Sequence, residues 1–135
     1  MLEPNNIYLG DCEVLLKQLD NESVDVCFTS PPYNDSGKDG GTHQKYLEVE
    51  TRDDWLEWQK NILNEMLRVS KKYVLYNVQA IKNNKENVYR LIGEFADKIH
   101  TILIWNKTQA TPCGNPHKIS NYYEFILILS KRGGG

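Results

Sequence analysis

Alternating strand and helix signals along these 135 residues predict an open α/β sheet with helices packed on its faces. Three observations carry that expectation. Short apolar runs ("VDVCF", "KYVLYNV", "HTILIWNK", "YYEFILILSK") are separated, until the last two, by segments whose apolar residues recur at helical spacing. The last two runs follow one another directly, as an antiparallel pair at a sheet edge would. No repeat or composition break divides the chain, so residues 1–135 read as a single domain.

Taken in order, "NIYLGD" begins as a short strand and stops at Gly10-Asp11. In "CEVLLKQLD", Val14, Leu15, Leu16 and Leu19 share helical spacing, which predicts a short amphipathic helix ending near Asp20-Asn21. "SVDVCFTS" is β-rich and nearly continuous in apolar character, as a buried parallel strand would be. Pro31-Pro32 ends it, because neither proline can donate to a ladder. Residues 34–53 are polar and aperiodic around "DSGKDGGTHQ" and predict a mobile loop; such long loops are usually functional or disordered. Asp53 or Asp54 can cap a helix through "WLEWQKNILNEMLRVS", with Trp55, Trp58, Ile62, Met66 and Val69 on one apolar face. "KYVLYNV" is a further buried strand. "NNKENVYRLIGEFADK" is a further helix, with Val88, Leu91, Ile92 and Phe95 facing inward. Between the last two strands lies the polar segment "TQATPCGNPHKISN".

Composition narrows the function classes. Hydrophobic residues at 40% and charged residues at 25% fit a globular domain rather than a disordered or fibrous chain. No apolar run is long enough to cross a bilayer and the N-terminus lacks a signal-peptide pattern, so the expected compartment is the cytoplasm. Cys12, Cys27 and Cys113 are odd in number and far apart, which argues against a disulfide framework or a zinc site. A net charge of −2 gives no overall attraction to nucleic acid, so any such contact is local or comes through a partner. Trp55, Trp58 and Trp105 read as core; His43, His100 and His117 have no metal-ligand spacing and read as surface or polar contacts.

In open α/β sheets, ligands bind outside the carboxyl ends of the strands. Gly10-Asp11, Thr29 to Asn34 and Asn77 to Gln79 lie at such ends. The turn "TSPPYN" stands out. Its prolines hold the backbone so that the Ser30 and Pro31 carbonyls point in set directions, and Tyr33 adds a flat ring beside them. A planar heterocycle with an exocyclic amino group suits such a corner: it can stack on the ring and donate to the acceptors, as an extruded base does in base-modifying enzymes. Asp11 is equally readable as a helix cap or as a ligand contact.

The run "GDCEVLLKQLDNESVDVCFTSPPYN" resembles the opening of the amino-methylating DNA methyltransferases, whose catalytic turn has the form [D/N/S]-P-P-[Y/F/W]. "DWLEWQKNILNEMLRVSKKYVLYNV", "ILIWNK" and "YYEFILILSK" resemble that family's later segments, in the same order, so the resemblance spans nearly the whole chain. It implies a Rossmann-like fold that uses S-adenosylmethionine, with helices on both faces of a mostly parallel sheet and an antiparallel edge pair. The implied activity is methylation of the exocyclic amino group of cytosine (N4) or adenine (N6) in DNA, the serine leaning toward cytosine. The implied catalytic residues are Ser30, Pro31, Pro32 and Tyr33: Ser30 and the Pro31 carbonyl accept the amino hydrogens, and Tyr33 stacks on the flipped base. The implied cofactor contacts are Asp11, Cys12, Thr29 and Ser30, with no metal.

The family's glycine-rich cofactor loop has no counterpart before "SKRGGG", so the fold is expected to be incomplete, lacking its cofactor half. The "VDVCF" strand would then have a bare apolar edge, which proteins normally cover. A second copy, a separate chain or the first strand moved inward is expected to cover it. The alternative function is a non-catalytic module that pairs with another protein or occupies DNA.

Overall fold

The computed structural model describes residues 2–33, 54–81, 84–107 and 122–133. The expected loop at 34–53, with His43, and the segment holding Cys113 and His117 lie outside the described residues. The elements are α1 (Cys12–Leu16), β1 (Val24–Thr29), α2 (Trp55–Val69), β2 (Ser70–Val78), α3 (Lys85–Glu94), β3 (Ile99–Asn106) and β4 (Tyr123–Leu129). The four strands form one sheet in the order β1-β2-β4-β3. β1 runs parallel to β2, and β4 runs antiparallel to both β2 and β3. The α/β class and the antiparallel pair at one edge are therefore as expected, with β3 outermost.

Residues opposite one another in the ladders share a face. On one face Val74, Tyr76 and Val78 of β2 meet Leu127 and Leu129 of β4, and all five are fully buried. α2 covers them with Ile62, Leu63, Met66 and Leu67, and α3 with Val88 and Leu91. Leu16 of α1 packs against the same cluster. Inside it the one hydroxyl is satisfied, since Tyr76 donates to Gln59 Oε1 at 2.8 Å. Arg68 ties α1 to α2, donating to the carbonyls of Leu16 and Leu19 at 2.9 Å each and to Asn21 Oδ1 at 2.8 Å.

Several expectations change. "NIYLGD" forms no strand: Ile7 and Leu9 stand fully exposed, and no described strand lies beside the segment to take its backbone groups. It has not moved into the sheet, so among the described strands β1 lies at an edge rather than buried, and Phe28 keeps 65% of its surface. α1 stops at Leu16, well before Asp20, and none of its residues is buried. Among the described residues all three helices pack on one face, not both. On the other face, Val26, Phe28, Tyr73, Leu103 and Trp105 are exposed. Trp105, expected in the core, is half exposed there, while Trp55 is buried and Trp58 partly so. His100 is at the surface, with its ring centroid 6.0 Å from that of Tyr73. No described helix is long and apolar enough to cross a membrane.

Candidate active site

β1, β2 and β3 end at one crest of the sheet, and β4, running the other way, begins there. This geometry gathers four stretches distant in sequence: the turn Ser30 to Tyr33 after β1, Asn77 to Gln79 at the end of β2, Lys107 just after β3, and Glu124 at the start of β4.

Two buried side chains fix the turn. Trp55, at the start of α2, donates its indole N–H to the Pro32 carbonyl at 2.8 Å. Asn84, the residue before α3, donates to the Tyr33 carbonyl at 2.8 Å and the Gln79 carbonyl at 3.1 Å, and its Oδ1 accepts from the Ile81 N–H at 2.8 Å. The prolines already limit the backbone, and these anchors remove most of what freedom remains. Within the turn Pro31 is buried, Pro32 and Tyr33 are half-buried, and Ser30 is exposed. Of the two residues expected to supply amine acceptors, Ser30 is thus the exposed one and Pro31 the buried one. Tyr33 packs part of its ring against the core cluster.

The Tyr33 hydroxyl donates to Glu124 Oε2 at 2.8 Å and lies 3.3 Å from Ser30 Oγ. Asn77 Nδ2 donates to the same Glu124 oxygen at 3.0 Å and to the Phe125 carbonyl at 3.1 Å. Lys107 Nζ forms an ion pair with Glu124 Oε1 and reaches Gln79 Oε1 at 3.4 Å. Burial by itself would raise the Glu124 carboxyl. Hydrogen bonds from Lys107, Tyr33 and Asn77, with the Lys107 charge, outweigh that and hold it below the ordinary carboxylate range. Burial pushes the Tyr33 phenol up to about 12; the Ser30 hydrogen bond works against this and the Glu124 carboxylate adds to it.

Asp11 caps α1: its Oδ1 accepts from the Glu13 N–H at 2.8 Å. Cys12 is exposed beside it, its thiol raised by partial burial and by the charges of Asp11 and Glu13. Thr29 closes β1 opposite Tyr76. Surface cavities of about 320 Å³, against α1 and α2, and about 380 Å³, against the N-terminal segment, are lined by none of Asp11, Cys12, Thr29 or Ser30. The described residues thus bring Ser30, Tyr33 and Glu124 together at the crest, with Thr29 at the end of β1 and Asp11 and Cys12 at the start of α1.

Sequence reasoning missed Glu124, Lys107 and Asn84. A lone acid inside the apolar run "YYEFILIL" was a usable signal for Glu124, since a charge within a strand needs a partner. Asn84, one of several polar residues in "IKNNKEN", carried none.

The family model described as DNA methylase matches residues 24–134. The type II methyltransferase M.MjaVI of Methanocaldococcus jannaschii is 31% identical, over 94% of this chain and 72% of its own length. The DNA adenine methyltransferase YhdJ of Escherichia coli is 30% identical, over 96% of this chain but 42% of its own. The protein TTHA0409 of Thermus thermophilus, solved with S-adenosyl-L-methionine, superposes with a TM-score of 0.61 at 21% identity, covering 93% of this chain and 53% of that one. At that identity the last likeness establishes the fold alone, and the chain spans only about half of that structure. With the matched region taking in β1, the crest turn and every later element, the chain belongs to the DNA methylase family.

Proposed function

We propose that the chain is the catalytic portion of a site-specific DNA methyltransferase, moving a methyl group from S-adenosylmethionine to the exocyclic amino group of cytosine (N4) or adenine (N6). One observation carries the reading: an exposed serine hydroxyl on a turn locked by Trp55 and Asn84 at the sheet's carboxyl crest, beside a half-buried tyrosine. When bound, S-adenosylmethionine supplies a methyl group on a positively charged sulfur. The chain's own share is to hold the amine. Ser30 Oγ accepts one amino hydrogen, and the Pro31 carbonyl is the second acceptor for an amine seated against the turn. Drawing both hydrogens into hydrogen bonds turns the nitrogen lone pair out of conjugation with the ring, and the fixed turn supplies this orientation before the base arrives. The open part of the Tyr33 ring is the stacking surface for the flipped base. Asp11, Cys12, Thr29 and Ser30 remain the proposed cofactor contacts.

A transfer assay with labelled S-adenosylmethionine on duplex DNA, followed by nucleoside digestion, tests this and separates the N4 from the N6 product. Ser30→Ala lowers kcat by about 10²-fold or more, the order associated with removing one pre-set polar contact at a reacting group. Wild-type chain that binds S-adenosylmethionine yet methylates no DNA would sink the reading.

A second reading has its own observation, the bare sheet face and free β1 edge. On it, the chain pairs with a second copy or a separate chain covering Val26, Phe28, Leu103 and Trp105, and acts as a binding module without turnover. Sizing by light scattering, with and without Phe28→Ser, discriminates. On the first reading the chain works on DNA in the cytoplasm.

A further inference from the structure

The hydrogen bonds at the crest have a direction as well as a length. Glu124 is buried, and Lys107 and Asn77 hold its carboxyl in the ionised form. An ionised carboxylate can only accept. Tyr33 therefore commits its single hydroxyl proton to Glu124, at 2.8 Å. The Tyr33 oxygen, 3.3 Å from Ser30 Oγ, is left able only to accept, so the bond between the two hydroxyls runs from Ser30 to Tyr33. Ser30 thus turns its proton inward. What it presents to solvent is a pair of lone pairs.

We propose that Glu124 is a positioning residue which, through Tyr33, fixes the exposed Ser30 hydroxyl as an acceptor toward the target amine. The inference rests on the reading of Ser30 given above. A serine hydroxyl is otherwise ambivalent. Pointed outward, its proton would bond the amino nitrogen and occupy the lone pair that has to attack. With the negative charge at position 124 removed, Tyr33 can donate to Ser30 instead, and the serine is free to turn its proton toward the substrate. The geometry explains why a buried ion pair stands at the mouth of the site, where Lys107 offsets the cost of burying Glu124. It also separates two roles. Trp55 and Asn84 fix where the turn lies, and Glu124 fixes which way its hydroxyl points.

Two measurements on the full chain test this. In the first, 3,5-difluorotyrosine replaces Tyr33, giving ¹⁹F signals at this one position and a phenol that titrates in an accessible range. A hydroxyl donating to the phenol oxygen favours the phenolate, so Ser30→Ala should raise the phenol's pKa. A serine accepting from Tyr33 in the neutral state must turn over to serve the phenolate, which offsets the gain, so Ser30→Ala would leave the pKa unchanged or lower it; either result overturns the proposal. Glu124→Gln should lower the phenol's pKa and shrink or reverse the Ser30→Ala shift, whereas a merely structural Glu124 leaves that shift unchanged. Should Glu124→Gln fail to fold, the sign of the Ser30→Ala shift alone still decides the direction of the bond.

The second measurement is a double-mutant cycle on methyl transfer. Glu124→Gln should lower kcat about tenfold with KM for DNA within about twofold, an interaction used on the way to the transition state rather than in ground-state binding. In a Ser30→Asp background, where the side chain can only accept whatever Tyr33 does, the same change should cost less than about threefold. Equal losses in both backgrounds would overturn the polarity role. A wild-type chain without turnover would defeat the methyl-transfer reading, while the titration would still decide the direction of the hydroxyl chain.

Discussion

The two faces of the sheet are made of the same strands and much the same residue types, yet only one is covered, and along β2 and β4 rather than throughout: at the outer strand β3 the covered side leaves Ile102 and Ile104 exposed. Val74, Tyr76, Val78, Leu127 and Leu129 are fully buried under α2 and α3. Their neighbours of opposite parity include Tyr73 at 41% exposure and Phe28 at 65%, with Val26, Leu103 and Trp105 between. Apolar character along a strand therefore does not decide burial; a layer of helices does. An apolar face this extensive is of the kind that marks an interaction surface. The bare side also carries, at its crest, Glu124, the one buried charged residue among those described. The covered face holds the fold together, and the crest gathers the polar groups of Ser30, Tyr33, Asn77, Lys107 and Glu124.

The strongest way to break this contrast is truncation on each face. Leu127→Ala should cost about 3 kcal/mol, within the usual range for a fully buried leucine, while Leu103→Ala should stay within about 0.5 kcal/mol. Urea denaturation of both variants decides it; a Leu103→Ala cost close to that of Leu127→Ala would mean that the bare face is covered in solution. Next in size is Arg68→Ala, about 2 kcal/mol, because the guanidinium holds two carbonyls and an amide of the α1 region against α2. Hydrogen exchange should show the amides of α1 opening first in that variant.

Trp55→Phe should cost about 1 kcal/mol by deleting the hydrogen bond to the Pro32 carbonyl, and should lower kcat for transfer more than it raises the KM for DNA. The smallest effect is on the acid limb. Glu124 titrates below its unfolded value, so its stabilising contribution is complete above the ordinary glutamate pKa near 4.3 and disappears as pH falls through the lowered one. Glu124→Gln should therefore flatten the stability curve below about pH 4.3 and leave its slope between pH 6 and 8 unchanged. A slope change confined to the neutral range would assign the pH response to another group.

Much of this was legible in the residues. The proline pair after "VDVCF", the helical spacing from Trp55 to Val69 and the consecutive final strands are local signals, and each became the element it announced. The partners of Tyr33 were not legible in the same way. Glu124 lies 91 residues further on, and only the antiparallel entry of β4 brings it to the crest. "NIYLGD" failed in the opposite direction, since a strand pattern without a neighbouring strand has nowhere to place its backbone hydrogen bonds.

By itself, then, the sequence determined the order of elements from α1 onward and the stiff turn, because these follow from backbone restriction and short-range periodicity, and it pointed to the family through the resemblance of its ordered motifs. Tertiary structure decided which face is covered, that Asp11 caps a helix, and that a carboxylate from the last strand governs the hydroxyls of the turn. Those outcomes depend on chain segments far apart in sequence meeting at fixed distances, a property that no local stretch of residues carries.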